Sequence, residues 1–162
     1  MPESIHLVRS AVIRTAVIRA KVSRADLARF VPAACGEVWS YIQSAGLRRP
    51  GRHVALYGPE EGLVEVGAEI GEAFDGNGRV CCSQLPAEIA ATMTHFGPYH
   101  HLGRAHAAIR EWCAAQGYEM SGICWEIYDH WQDDWNNDSG RIRTDVFHHL
   151  RHQPNPTGNE SA

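Results

Sequence analysis

The sequence predicts an α+β fold in which a strand-helix-strand-strand unit occurs twice about a pseudo-twofold axis, giving an antiparallel sheet with two main helices flanking a central cleft. Three observations predict it. Runs rich in β-branched residues open the halves, at 11–22 and 89–96. Each is followed by an amphipathic stretch with three- and four-residue steps that stops at a glycine, Gly46 or Gly117. Each half then closes on strand-like runs, and 38–42 overlies 108–112 as 53–57 overlies 124–128.

The first run, 11–22, is one long strand or two short ones, with Arg14, Arg19 and Lys21 at the wet edge. Ser23 and Asp26 suit the start of a helix whose apolar stripe is Leu27, Val31, Ala34, Val38, Tyr41 and Ile42, and Pro32 is expected to kink or restart it. Residues 53–57 and 63–70 are strands around a tight loop at 58–62, and the Gly/Asp/Asn-rich stretch 71–78 is the midpoint hinge. In the second half, 80–83 and 89–96 are strands divided by Leu85-Pro86. Pro98 and Gly117 bracket the second helix, with its stripe of Leu102, Ala105, Ile109, Trp112 and Cys113. A strand through 123–129, a polar loop at 132–140 and a last strand at 142–147 complete the unit. The organisation is thus one domain over 1–153, with repeats at about 11–72 and 79–150, and a disordered polar tail at 154–162.

Bulk properties exclude several classes. A chain of 162 residues fits one domain that needs no metal or disulfide staple, and a formal charge of −4 gives no basic face for nucleic acid. No apolar run reaches membrane-spanning length and residues 1–4 lack a signal-peptide layout, so the cytoplasm is the expected compartment, without a membrane partner. Five cysteines without regular spacing suit buried thiols better than disulfides.

The chemistry centres on the strand Ile123-Cys124-Trp125-Glu126-Ile127-Tyr128. Alternation puts Ile123, Trp125 and Ile127 on one face and Cys124, Glu126 and Tyr128 on the other. A carboxylate buried among aromatics without a partner costs several kcal/mol, so an enclosed Glu126 needs a ligand cation, a donor or a proton; otherwise it lies wet on the sheet. Candidate linings of the cleft are Trp39, Tyr57, the 94–99 turn with His95 and Tyr99, Glu126 and Tyr128. These suit a flat, lipophilic, often cationic ligand, although each ring taken singly also suits an ordinary core.

No metal and no cofactor is expected. His100, His101 and His106 lack the four-residue pairing of a zinc helix, and adjacent Cys81 and Cys82 are poor geometry for one ion. His148, His149 and His152 form a wet, basic-leaning run, and 129–138 lacks the central Gly and closing Glu of a calcium loop. There is no phosphate loop or nucleophile elbow.

Leu85-Pro86-Ala87, Thr94-His95-Phe96-Gly97-Pro98-Tyr99, Ile109-Arg110-Glu111-Trp112, Gly117 and Trp125-Glu126-Ile127-Tyr128 together resemble the GyrI-like small-molecule-binding domain. That domain is also known as the ligand half of AraC-type and MerR-type multidrug-responsive regulators. Residues 38–42, 54–57 and 64–67 agree with it as well, and the match covers about 12–150. The resemblance implies a twofold-repeated fold of the SOUL-like superfamily, a cleft where Glu126 meets cationic lipophilic compounds, and stacking by Tyr57 and Trp39. The chain resembles stand-alone members that carry no helix-turn-helix, so the transcription-regulation role does not carry over. Its 129–138 segment replaces a shorter loop and is placed to lid or narrow the cleft.

Three functions follow as expectations. The first is a monomeric or homodimeric binding protein that sequesters or senses small aromatic or cationic ligands, with Glu126 as counter-ion. The second is a hydrolase of reactive cyclopropane-type compounds, with Glu126 and Tyr57 as the catalytic pair. The third is a protein inhibitor of the gyrase-inhibitor type, with Asp133, Asp134 and Asp138 mimicking a polyanion.

Overall fold

A computed structural model describes residues 4–151; the expected tail, His152 and residues 1–3 lie outside them. The strands are β1 (His6–Arg9), β2 (Ile13–Lys21), β3 (His53–Tyr57), β4 (Leu63–Glu69), β5 (Val80–Leu85), β6 (Ile89–Phe96), β7 (Met120–Tyr128) and β8 (Arg143–Leu150). The main helices are α1 (Leu27–Ala45) and α2 (Leu102–Gln116), and each ends on a left-handed glycine, Gly46 or Gly117. Glycine adopts that conformation without a Cβ penalty, which explains both stops.

All eight strands form one antiparallel sheet in the order β1-β6-β8-β7-β3-β4-β2-β5. Read outward from the central β7/β3 pair, β8 and β6 mirror β4 and β2, which is the expected pseudo-twofold duplication. The outermost strands are exchanged. β1 leads into β2 but pairs with β6, and β5 leads into β6 but pairs with β2. This exchange forces the sheet to curl. The connection from Arg9 to Ile13 reaches at most about 14 Å, whereas six interstrand gaps in a flat sheet separate the strands by about 29 Å. Ser10 N–H donating to Glu88 C=O, at 3.0 Å, ties the two crossing links together.

The curl has two apolar sides. Inside it, Val54, Leu85, Ala90, Trp125 and Ile127 form one core cluster, and Trp125 stacks on Phe147 with ring centroids 5.2 Å apart. Outside it, α1 packs Ala34, Val38 and Ile42 on Ile18, Val66 and Ala68, while α2 packs Leu102, Ala105, Ile109 and Cys113 on Ala91, Val146 and Leu150. Each such buried aliphatic side chain contributes about 1.5–3 kcal/mol.

Pro32 does not restart α1, which runs as one continuous helix from Leu27 to Ala45. It lies near the start of the helix, where the hydrogen bond it forfeits is the one to the Ala28 carbonyl. β1 and the C-terminal extension of β8 through Leu150 are additions to the expected elements.

Candidate functional site

The helices leave a cavity of about 1060 Å³ over the β3/β7 centre of the sheet, between α1, the turn before α2 and the loop after β7. The β3–β7 register builds its floor. Ala55 stands opposite Glu126, and its small side chain leaves room above the carboxylate; Tyr57 stands opposite Cys124 and reaches Glu126 diagonally. Tyr128 shares the Glu126 face of β7 by alternation.

Glu126 is 5% exposed and fully engaged. Oε1 accepts from the Tyr57 hydroxyl at 3.1 Å and from the Tyr128 hydroxyl at 2.5 Å. Oε2 meets His106 Nε2 at 2.8 Å, and His106 Nδ1 meets His148 Nε2 at 2.8 Å. Of the alternatives open to Glu126, a wet position on the sheet is excluded and donors within the protein are what it finds: it is enclosed, and an imidazole and two phenols satisfy it. Burial first, and then the Glu126 carboxylate, raise the pKa of both Tyr57 and Tyr128, so both phenols stay protonated donors. Burial, with His106 and Arg110 adding to it, lowers His148 to about 3, which keeps that ring neutral.

Two sequence expectations about histidines fail here. His148 is not part of a wet run but 6% exposed on the α2-facing alternation of β8, and His106, which has no four-residue partner on its helix, is bonded to Glu126. The signal was present in both cases. Residues 102, 105, 106, 109 and 113 share one helical stripe, and Thr144, Val146, His148 and Leu150 share one strand face.

Of the other predicted site residues, Trp39, Tyr57, Tyr99, Glu126 and Tyr128 line the cavity. His95 is not among the lining residues; it lies on β6 opposite Thr144, and its Nε2 is buried without a hydrogen-bond partner among the described residues. Trp39 meets His53 edge-on at 5.9 Å on one side of the cavity. On the other side a chain of rings runs from Tyr128 to Tyr99 at 5.5 Å, to Trp131 at 6.5 Å and to buried Trp135 at 5.3 Å. Asp129, His130 and Trp131 thus wall the cavity, as expected for the long loop. Asp133, Asp134 and Asp138 are exposed and point to no cavity wall. Cys35 also lines the cavity, but burial lifts its thiol to about 11, so it is not a nucleophile near neutral pH.

A family model for the GyrI-like small molecule binding domain matches residues 5–151. This chain is a GyrI-like domain. The fold agrees with solved structures at low identity. The EcmrR C-terminal domain superposes with a TM-score of 0.72 at 20% identity, over 93% of this chain and 99% of that one. The match to the EcmrR chain solved in its complex with DNA, at a TM-score of 0.65 and 18% identity, covers 93% of this chain and 57% of that one. SAV2435 bound to tetraphenylphosphonium gives a TM-score of 0.61 at 12% identity, covering 94% of this chain and 95% of that one. A hydrolase from Listeria innocua gives 0.60 at 10% identity, covering 91% of each. Among curated protein sequences none matches. Among the described residues of the GyrI-like chain, no helix is long and apolar enough to cross a membrane.

Proposed function

We propose that this GyrI-like domain binds lipophilic, aromatic cations in the cavity over Glu126, sequestering or sensing them. The observation that carries the reading is the buried Glu126 carboxylate at the floor of a cavity of about 1060 Å³ walled by Trp39, Tyr57, Tyr99, Tyr128 and Trp131, with Asp129 a second carboxylate at its wall. The three donors on Glu126 do not defeat it. If His148 Nε2–H donates to His106 Nδ1 and His106 Nε2–H donates to Glu126, the cluster keeps the carboxylate's one negative charge. A cation whose charge lies beneath aromatic rings forms no hydrogen bonds and needs only a negative potential and π faces, both stronger in a low dielectric. The relative solved with tetraphenylphosphonium has this fold, which supports the choice of ligand class.

The test titrates tetraphenylphosphonium and its anionic isostere tetraphenylborate into the wild type and Glu126→Gln. The expected result is preference for the cation in the wild type, reduced by about 1–3 kcal/mol in the variant. Equal affinities of the two proteins for the cation would remove the counter-ion role.

A second reading is favoured by one observation: the Tyr57 and Tyr128 hydroxyls converge on a single oxygen of Glu126. A carboxylate and a phenol in contact form an acid/base pair, and a relative of this fold is described as a hydrolase. On this reading a cyclopropane-bearing electrophile is hydrolysed, with turnover lost in both Glu126→Gln and Tyr57→Phe. Tight binding without any product refutes it.

A further inference from the structure

Cys124 and His148 stand directly opposite one another on β7 and β8, and both project from the sheet face on which α2 lies. His106 descends from α2 between them and Glu126. The result is a compact set of donors: His106, His148 and Cys124 offer ligand atoms that all lie within 4.8 Å of one another. None of the three lines the cavity, so ligand binding there leaves this set unexplained.

We propose that His106 Nδ1, His148 Nε2 and Cys124 Sγ form a binding site for a zinc-class divalent ion, behind the cavity floor. Two imidazole nitrogens and a thiolate suit this class of ion and leave a fourth position for water. Tetrahedral zinc places two nitrogen ligands about 3.3 Å apart, so the His106–His148 pair, 2.8 Å apart, needs to open by only a fraction of an ångström.

The second sphere is already in place. Glu126 Oε2 holds the opposite nitrogen of His106, at 2.8 Å, which is the carboxylate–histidine–metal arrangement that fixes the tautomer and turns the free nitrogen toward an ion. Charge is compatible as well. The Cys124 proton leaves to solvent on binding, and the thiolate and the Glu126 carboxylate together offset a divalent ion. Glu126 thereby belongs to both the cavity floor and the second sphere of the ion, so an ion bound there weakens the negative potential that a cation in the cavity meets, although the metal site forms whether or not the cavity is filled.

The test is titration of the reduced full chain with Co²⁺ alone, followed by displacement with Zn²⁺. One equivalent is expected to give visible bands of a tetrahedral site and a near-ultraviolet thiolate-to-cobalt charge-transfer band, both erased by Zn²⁺. Cys124→Ser should abolish the charge-transfer band, and His148→Ala should weaken Co²⁺ at least tenfold. The paired substitutions His100→Asn and His101→Asn, outside the ligand set, should change neither, with circular dichroism as the check that each variant is folded. A charge-transfer band that survives Cys124→Ser, affinity unmoved by His148→Ala, or a wild type without the band overturns the site.

Discussion

His106 Nε2 stands 2.8 Å from Glu126 Oε2, joining α2 to the central strand of the sheet through the only imidazole that bonds this carboxylate among the described residues. The contact is nearly dry, with the two side chains 13% and 7% exposed. His106→Ala strips one carboxylate oxygen of its donor inside the protein. The expected loss of stability is about 1–3 kcal/mol, measured by urea unfolding. The double variant His106→Ala/Glu126→Gln should recover part of that loss, because a neutral amide is less costly to leave unpaired; no recovery would mean that the contact contributes nothing specific.

The neutral His148 ring makes stability depend on pH. The unfolded chain takes up a proton on this side chain near pH 6.5, the folded chain only near 3, so between these values the unfolded state holds more protons. Stability therefore falls as the pH drops from 6.5 toward 3, by about 1.4 kcal/mol for each pH unit crossed. Above pH 6.5 this ring contributes no slope. Unfolding midpoints from pH 4 to 8 should show the decline, and His148→Asn should flatten it.

Trp131 and Trp135 have separate jobs although they touch. Trp131 is 49% exposed at the cavity wall, whereas Trp135 is buried beneath the loop. Trp131→Ala is expected to weaken tetraphenylphosphonium by about 0.5–2 kcal/mol, the range for a ring facing a cation, with the thermal midpoint unchanged. Trp135→Ala is expected to cost about 3–5 kcal/mol of stability. Equal effects of the two on the midpoint would show that the loop does not divide in this way.

Gly67 lies where β4 meets β2, and a Cβ there would come 1.8 Å from the Ala16 carbonyl oxygen. No side-chain rotation relieves a clash with backbone. Gly67→Ala should cost about 3 kcal/mol or more by forcing the strands apart, visible as a lowered midpoint in thermal melts.

Much of the fold and part of the site were legible in the sequence, and the divisions have physical causes. The helix ends were legible because Gly46 and Gly117 take a conformation that other residues avoid. The Glu126 and Tyr128 face of β7 followed from alternation alone. β1 was missed because four residues, two exposed and two half-buried, carry too short a pattern to separate from a loop. His106 and His148 were missed for a different reason: histidine reads as polar, yet both sit on faces otherwise marked by apolar neighbours. His95 misled in the opposite direction. It belongs to a turn that resembles the family, and its pairing with Thr144, itself opposite Tyr128, puts it on the cavity side of the sheet, but two strands from Tyr128 and so beside the lining rather than in it.

The exchange of β1 and β5 has a bearing on how guests are admitted. Each half donates its opening strand to the far flank of the other, so prying the halves apart would sever three ladders at once, these two and the central β3–β7 pair. A bulky visitor must therefore be accommodated by α1 and by the Trp131 rim, against a spine that does not yield. Under the proposed function, differences among aromatic cations are taken up at the mouth and roof, while Glu126 keeps its place at the bottom.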